Sequence, residues 1–327
     1  MSTAFAHPVT QGIVLATGAV LLLAALAIGA MTLLGRGTPA FRRELWLRYG
    51  SWLVLLPLMF GPVLLGRVWT IGAVTLLGLL CLGEFARATG LFREYLTTAV
   101  VALGIVAVGF AALDNWYRLF VALWPLTTVV ILVATIPLDR PAGYIQRNAL
   151  AIFAFMLLGV GLGHLGYMAN DPGYRPLVLM LLAAVALNDV AAFTFGKLLG
   201  ARLFGGRKLV PNTSPNKTVA GALGALCTTT ALVAYLGSLI FAGTPMAHPA
   251  LLLFLGVLVS VAGQCGDLML SSIKRDIGIK DMGAALPGHG GIMDRFNSLL
   301  LVAPAVFHLI NYVVGIGEGQ PTRLITG

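Results

Sequence analysis

Charged residues are scarce in this sequence of 327 amino acids. They make up 10% of the chain, whereas hydrophobic residues make up 58% and the mean hydropathy is +0.93. A soluble domain carries about a quarter of its residues as charged ones, so the composition excludes a water-soluble globular protein. Long apolar runs recur along the chain, each able to cross about 30 Å of hydrocarbon as a helix and without the alternation of barrel strands. The composition therefore predicts an all-α, polytopic integral membrane protein.

Cysteine is also scarce. The three cysteines, Cys81, Cys227 and Cys265, lie in apolar segments without CxxC spacing, which excludes a disulfide framework and a thiolate metal site. We expect each of them to be a small buried apolar residue. Residues 1–12 contain no Lys or Arg, and the first apolar run is too long for a signal peptide, so we expect it to be a retained helix.

The apolar runs divide into ten candidate spans. The second and third are short and are separated only by Arg67, so a tight hairpin and a kinked pair both remain open, and we expect about nine to ten transmembrane helices. The candidates are residues 11–35, 50–66, 68–84, 96–113, 118–138, 148–168, 176–199, 218–242, 248–271 and 298–316.

Positive charge is distributed unevenly between the connections. With ten spans the connections alternate between the two sides of the membrane, and 17 of the 21 Lys and Arg residues then fall on one side. The positive-inside rule predicts that this side is cytoplasmic. Basic loops beside anionic headgroups also account for the net charge of +9 without nucleic acid as a partner. We expect a bacterial inner membrane, with the active site facing the cytoplasm.

The chain contains no internal repeat, soluble linker or low-complexity tail. We therefore expect a single membrane domain over residues 1–327. Its spans over residues 1–175 are mainly apolar, and the polar chemistry is concentrated in the spans and cytoplasmic loops over residues 176–316.

Two acidic residues, Asp189 and Asp267, interrupt apolar runs. A charged side chain within a bilayer costs roughly 2.5–3.5 kcal/mol or more unless it is paired or faces a wet cavity. Their positions therefore favour a ligand or cation site near the cytoplasmic ends of two helices. The alternative is a polar residue that neighbouring helices satisfy.

Asp267 begins a polar helix face. Ser271 and Lys274 follow it at i+4 and i+7, so the three share one side of a helix. Ser272 and Arg275 widen this face towards the cytoplasmic edge. Lys and Arg side chains at such a position can neutralise phosphate charge.

A glycine-rich segment, residues 286–291, lies between the acids Asp281 and Asp294. Glycine lets backbone N–H groups approach phosphate oxygens closely, and the start of a helix adds its positive end. Carboxylates beside a phosphate-binding surface favour Mg²⁺, which is usually held by one or two carboxylates together with substrate phosphates. The combination predicts a metal-dependent nucleotide or phosphoester site.

The stretch from Ser272 to Arg295, with the serine before it, resembles the signature of the phosphatidate cytidylyltransferase (CDP-diacylglycerol synthase) family. The family pattern is Ser-x-x-Lys-Arg, four residues, Lys-Asp-x-Gly, then Leu-Pro-Gly-His-Gly-Gly, two residues and Asp-Arg. The chain has SSIKRDIGIKDMG, and then LPGHGGIMDR. Upstream, KLVPNTSPNKT at residues 208–218, Asp189 with its following Ala-Phe, and Gly266-Asp267 are similar to further family elements. The resemblance covers about residues 185–300.

Two positions depart from the family pattern. Asn297 stands where the family usually has a second acid, and Ala220 stands where a glutamate usually precedes Gly221. An amide can coordinate Mg²⁺ but brings no charge. These departures leave open a divergent homologue that uses another lipid phosphate.

The resemblance implies that the chain transfers a cytidylyl group from CTP to phosphatidic acid, giving CDP-diacylglycerol and pyrophosphate in phospholipid biosynthesis, with Mg²⁺ as cofactor. It implies Asp267 and Asp294 as metal ligands, with Asp281 as a third. The catalytic set is Asp267, Lys274, Arg275, His289 and Asp294. The substrate-binding set is Ser214, Lys217, Ser271, Ser272, Lys280, Gly290, Gly291 and Arg295.

His289 has three possible roles in this interpretation: holding pyrophosphate oxygens with the turn, donating a proton to the leaving group, or fixing the turn. Partners are CTP, phosphatidic acid and the lipid bilayer, and a homodimer remains open. A non-catalytic membrane scaffold and a transporter are the rival classes. Transporters tend to carry midplane polar residues in both halves, whereas the first 185 residues of this chain contain almost none.

Overall fold

A computed structural model describes residues 4–202, 204–285, 290–318 and 320–327. Within these residues ten helical segments are long and apolar enough to cross a membrane, which confirms the all-α polytopic class. The helices are α1 Pro8–Leu33, α2 Pro39–Leu65, α3 Arg67–Thr89, α4 Tyr95–Leu113, α5 Tyr117–Ala134, α6 Tyr144–Ala154, α7 Leu162–Tyr167, α8 Tyr174–Leu199, α9 Val219–Ile240, α10 Pro249–Asp276, α11 Ile292–Phe296 and α12 Leu299–Val314.

Two of the ten spans join two α-helices. The sixth runs from α6 through a π-helical segment, Phe155–Gly161, into α7, and the tenth joins α11 to α12. The second and third spans, which are short in the sequence interpretation, are the full-length helices α2 and α3. Gly66 alone separates them, with φ 138° and ψ 176°, a backbone conformation that essentially only glycine adopts. They are therefore two membrane-length helices with an abrupt break.

The buried core lies where α3, α4, the π-helical segment, α8 and α12 meet. Phe155, Leu179, Met180 and Phe307 are fully buried there. α1 lies outside this core and buries only three residues near its start. Its other faces are as apolar as the core, as expected for a helix whose solvent is lipid.

Only Cys81 meets the expectation of a buried cysteine; Cys227 and Cys265 are exposed. The expectation was wrong for these two because an apolar residue on a membrane helix can face outward as favourably as inward. In lipid, burial cannot be inferred from hydrophobicity.

The two ends of the bundle are built from different polar contacts. At one end the Arg67 guanidinium donates to Asn170 Oδ1 at 2.6 Å and to the carbonyls of Ala112 and Leu113. At the other end the Glu84 carboxylate accepts from the backbone N–H groups of the first two residues of α11. With ten alternating spans, the connections predicted to be cytoplasmic fall at the Glu84 end.

A small hairpin at the Glu84 end forms the only β-sheet among the described residues. Strands β1 Lys208–Val210 and β2 Ser214–Thr218 are antiparallel, with Lys208 opposite Thr218. The sequence interpretation expected a plain loop here. β2 leads into α9, where the Thr218 hydroxyl caps the helix by accepting from Gly221 N. The hairpin thereby fixes the residues that precede α9 against the ends of α8 and α10.

Candidate functional site

Asp267 lies on α10 below the hairpin and is held from two sides. The Lys217 ammonium of β2 pairs with its Oδ2 atom. The Asn297 Nδ2 group donates to its Oδ1 atom at 2.7 Å. Three segments far apart in the sequence thus meet at one carboxylate, and Lys217, predicted to bind nucleotide, is here the partner of a predicted metal ligand.

Asp294 lies on α11 and is buried. Its Oδ1 atom accepts from the Lys274 ammonium at 2.7 Å. Its Oδ2 atom accepts from the backbone N–H groups of Met282 and Gly291 at 2.8 and 3.0 Å. Asp294 therefore ties together α10, the segment after it and the start of α11, which are the parts of the chain that carry the signature.

Glu84 is a site residue that the sequence interpretation missed. Its side chain is 2% exposed, and its oxygens accept from Ile292 N at 2.9 Å and Met293 N at 2.8 Å. It lies at the end of the third apolar run, so the cost of a carboxylate in a bilayer could have singled it out as it did Asp189 and Asp267. What the pattern could not show was its partner, some 208 residues away.

A cavity of about 540 Å³ opens between α8, the hairpin, α9 and α10. Its charged lining residues are Lys197, Lys208, Lys217, Asp189 and Asp267. Three ammonium groups against two carboxylates leave a positive surface, which favours an anionic ligand. The mouth carries Lys197, whose ammonium lies 5.9 Å from the centre of the Phe193 ring.

Asp189 and its neighbour Asn188 have different surroundings. Asn188 is buried, and its Oδ1 atom accepts from Ser260 at 2.7 Å and from Thr229 at 3.1 Å, so it is a satisfied polar residue between helices. Asp189 is exposed within the cavity, and no hydrogen bond or ion pair reaches its side chain in the part of the chain that the structure describes. Neighbouring helices therefore satisfy Asn188, whereas Asp189 stays a candidate for the predicted ligand or cation site.

The remaining predicted residues lie around these groups. Ser214 lines the cavity. Ser272 is exposed and donates to Leu268 O at 3.0 Å, and Arg275 contacts the carbonyls of Thr213 and Ile279 at 3.4 and 3.3 Å. The other predicted residues near this end are exposed or partly buried: Ser271, Lys280, Asp281, Gly290 and Arg295. His289 lies outside the described residues.

Gly291 is buried, and its amide donates to Asp294. An alanine Cβ at Gly290 would lie 3.2 Å from Asp281 Oδ1 and 3.3 Å from Asp294 Oδ2. The carboxylates of Asp281 and Asp294 therefore approach the same glycine, which places this part of the signature beside two acids.

The donor chemistry suits a hard divalent cation. Carboxylate oxygens of Asp267 and Asp189 face one cavity, and Mg²⁺ needs only one or two carboxylates when substrate phosphates complete its shell. Within the described residues no three His, Cys, Asp or Glu side chains gather around one point. The acids predicted as metal ligands, Asp267 and Asp294, each have a lysine partner instead.

A sequence model described as the cytidylyltransferase family matches residues 46–313. The uncharacterized protein YnbB of Escherichia coli (strain K12) is 33% identical over 277 residues, which cover 82% of this chain and 88% of that protein.

Proteins named phosphatidate cytidylyltransferase match a shorter part of the chain. The one from Staphylococcus saprophyticus is 39% identical over 156 residues, and the one from Staphylococcus haemolyticus is 38% identical over 154 residues. These segments cover 48% and 46% of this chain. They span 56% of the length of each relative, so the similarity reaches about half of those proteins.

Proposed function

The chain belongs to the cytidylyltransferase family, and on that premise we propose that it transfers a cytidylyl group from CTP to phosphatidic acid and releases pyrophosphate. The product is CDP-diacylglycerol, an intermediate of phospholipid biosynthesis. The relatives named phosphatidate cytidylyltransferase support the choice of lipid substrate.

One observation carries the proposal. The signature segment and two family elements upstream of it bring two lysine–carboxylate pairs, Lys217–Asp267 and Lys274–Asp294, to one end of a membrane bundle, next to a positively lined cavity. A nucleoside triphosphate is strongly anionic and needs such a surface. A lipid phosphate can reach the same end of the bundle while its acyl chains remain in the bilayer.

The reaction needs positioning and charge neutralisation rather than a strong base. The attacking group is an oxygen of the lipid phosphate monoester, which is already anionic near neutral pH. It forms a bond to the α-phosphorus of CTP as the bond to the pyrophosphate oxygen breaks, with the two oxygens in line. In this proposal Lys217, Lys208 and Ser214 hold the triphosphate, and Lys274 with Arg275 orients the lipid phosphate, supported by Ser271 and Ser272.

Lys217 has a second task in the proposal. With no nucleotide bound it neutralises Asp267, which removes the cost of a lone carboxylate at the membrane edge. When a triphosphate enters, its oxygens compete with Asp267 for the ammonium. The nucleotide thereby releases a carboxylate that can accept a cation.

We propose Asp267 and Asp294 as Mg²⁺ ligands, with Asp281 as a third. Because these side chains do not gather around one point among the described residues, substrate phosphates would have to bridge the acids and complete the metal shell. A bound Mg²⁺ would neutralise charge on the phosphates and on the departing pyrophosphate. Gly290, Gly291, Lys280 and Arg295 complete the proposed substrate-binding surface, together with His289. The site is proposed to face the cytoplasm of a bacterial inner membrane, where CTP is available.

The test is pyrophosphate release by the purified protein in lipid micelles that contain phosphatidic acid, with CTP, with and without Mg²⁺. We expect release that requires all three components and that is lost in Asp267→Ala and Asp294→Ala, each shown to be folded. Arg43→Ala, an exposed position near the start of α2, is the control and should keep wild-type activity. Absence of release from folded wild type would refute the phosphatidate proposal.

A second candidate substrate has one observation in its favour. The Asn297 amide donates to Asp267 Oδ1, where the family pattern usually has an acid, so the surroundings of the proposed metal site depart from that pattern. The test is the same assay, in which other lipid phosphate monoesters replace phosphatidic acid one at a time. A faster rate with one of them would identify a divergent homologue.

A further inference from the structure

Glu84 is a buried carboxylate without a cationic partner among the described residues. It lies five residues before the end of α3, about 7 Å into the helix. A buried carboxylate is costly unless hydrogen bonds satisfy it. The amides of Ile292 and Met293 do so, and both belong to the first turn of α11, where backbone N–H groups otherwise lack partners.

The chain around the signature is shaped to admit this side chain. A Cβ atom at Gly283 would lie 2.6 Å from Glu84 Oε1, and its three nearest neighbours would all be atoms of Glu84. A Cβ atom at Gly291 would lie 2.6 Å from Glu84 Oε2. Neither glycine has a positive φ. Glycine is therefore required at Gly283 because Glu84 fills the space that a side chain would need.

The residue that follows the two anchored amides is Asp294. Its position sets the geometry of Lys274, to which it is paired, and of Met282, whose amide it binds. Glu84 does not line the cavity, so it reaches the site only through this segment.

We propose that Glu84 is a positioning residue, which anchors the start of α11 so that the Asp294–Lys274 pair stands correctly for cytidylyl transfer. The inference rests on the proposed function. It gives the N-terminal spans a part in the chemistry: α3 holds the signature segment from within the membrane.

The first test is a double-mutant cycle between Glu84→Ala and Gly283→Ala, measured as CTP-dependent pyrophosphate release per folded protein. Gly283→Ala alone should lower the rate about 100-fold, because displacement of a reacting group by about 1 Å has that effect. In the Glu84→Ala background the same substitution should cost less than about twofold, since its Cβ then enters vacated space. Losses that multiply independently would overturn the inference.

The second test separates positioning from mere stabilisation. Glu84→Gln keeps one acceptor oxygen but presents an amide to a second N–H donor, so kcat per folded protein should fall while KM for CTP stays within about twofold. A purely structural role would lower the thermal midpoint and leave kcat per folded protein unchanged, and this result would refute the inference. A raised KM for CTP with an unchanged kcat would also refute the inference.

Matched controls are Glu44→Gln, an exposed glutamate paired with Arg48, and Gly72→Ala, a glycine of α3 with open space around it. Both should behave as wild type. Wild-type protein decides the proposed function separately: if it releases no pyrophosphate, that function fails and the inference with it. If wild type is active and the Glu84 results differ from those expected, only the inference fails.

Discussion

At the scale of single residues, two carboxylates of the candidate site form ion pairs with lysines. Lys217 neutralises Asp267 and Lys274 neutralises Asp294, while Asp189 has no such partner within the described residues. Paired charges are stable at a membrane edge, but in the proposed reaction they would exchange partners when phosphates and a cation bind. The residues next to each pair therefore set how readily that exchange occurs.

Asn297→Asp tests this exchange. The Asn297 amide donates to Asp267; an aspartate would instead place two carboxylates side by side, and a divalent cation would relieve their repulsion. A close added charge contributes at least about 1.4 kcal/mol, so the Mg²⁺ concentration for half-maximal activity should fall about tenfold. A titration of pyrophosphate release with Mg²⁺ measures this half-maximal concentration. Asn297→Ala, which removes the amide without adding charge, should show no such gain, and an unchanged titration in the aspartate variant would contradict the metal assignment.

At the scale of elements, two short connections at the end opposite the site hold the helices in place. Gly66 turns the chain between α2 and α3. The C-terminal segment folds back onto the α4–α5 connection, where Asp114 accepts from the amides of Ile325 and Thr326 and from the Thr326 hydroxyl. Neither connection contacts the cavity, so both should affect stability more than catalysis.

Gly66→Ala should destabilise the bundle. The backbone at φ 138° and ψ 176° strains any side-chain-bearing residue by about 1–3 kcal/mol. We expect a lower thermal midpoint in detergent, with kcat and KM per folded protein unchanged. Gly72→Ala, in the helical part of α3, is the control. A Gly66→Ala variant as stable as wild type would show that the break between α2 and α3 can relax.

The C-terminal segment should be released by acid. Burial opposes the charge of Asp114, but hydrogen bonds from the Thr326 hydroxyl and from two backbone amides, with the charge of Arg323, bring its pKa below the usual range. The contribution to stability is therefore present above the ordinary aspartate pKa of about 3.9 and is lost as the pH falls through the lowered value.

A spin label on Thr322→Cys, in a protein without other cysteines, reports this release. Its mobility should be low at neutral pH and rise only in strong acid, whereas Asp114→Asn should make it mobile at every pH. Asp139→Asn, at an exposed turn after α5, should behave as wild type. A label that stays immobile in Asp114→Asn would show that other contacts, such as Arg323 over the Trp116 ring, suffice.

At the scale of the whole molecule, charge and chemistry share one end of the bundle. With ten alternating spans, the connections that carry 17 of the 21 Lys and Arg residues fall at the end of the bundle that holds Glu84, Asp267 and Asp294. The opposite end carries Arg67 and the C-terminal segment. Positive-inside orientation would then place the site and its CTP on the same side of the membrane.

Thiol labelling tests this orientation. In a cysteine-free protein, Ala242→Cys lies in the α9–α10 connection and Arg140→Cys in the connection after α5, both exposed. An impermeant maleimide should label Ala242→Cys in intact cells and Arg140→Cys only after permeabilisation. The reverse pattern would place the site on the outer face and would contradict a CTP-dependent reaction there.

The sequence by itself determined the class and the ten spans, and it predicted the segment that carries the chemistry. These are local properties: hydropathy acts over a window of about 20 residues, and the signature is contiguous from Ser271 to Arg295. The intramembrane cost of a carboxylate likewise singled out Asp189 and Asp267. The sequence left open whether Gly66 lies in a hairpin or in a kinked pair of spans. The reason is that α2 begins with charged residues before its apolar part, so its span looked too short.

Only the tertiary structure decided which distant groups meet. Glu84 is hydrogen-bonded to the start of α11, 208 residues away in the sequence, and Lys217 is paired with Asp267, 50 residues away. The hairpin that carries Lys217 lacks the alternation of apolar and polar residues from which a strand is predicted. The physical reason is that membrane helices are apolar on every face, so the linear pattern does not tell the packed face from the lipid face. Helix packing alone places these side chains together.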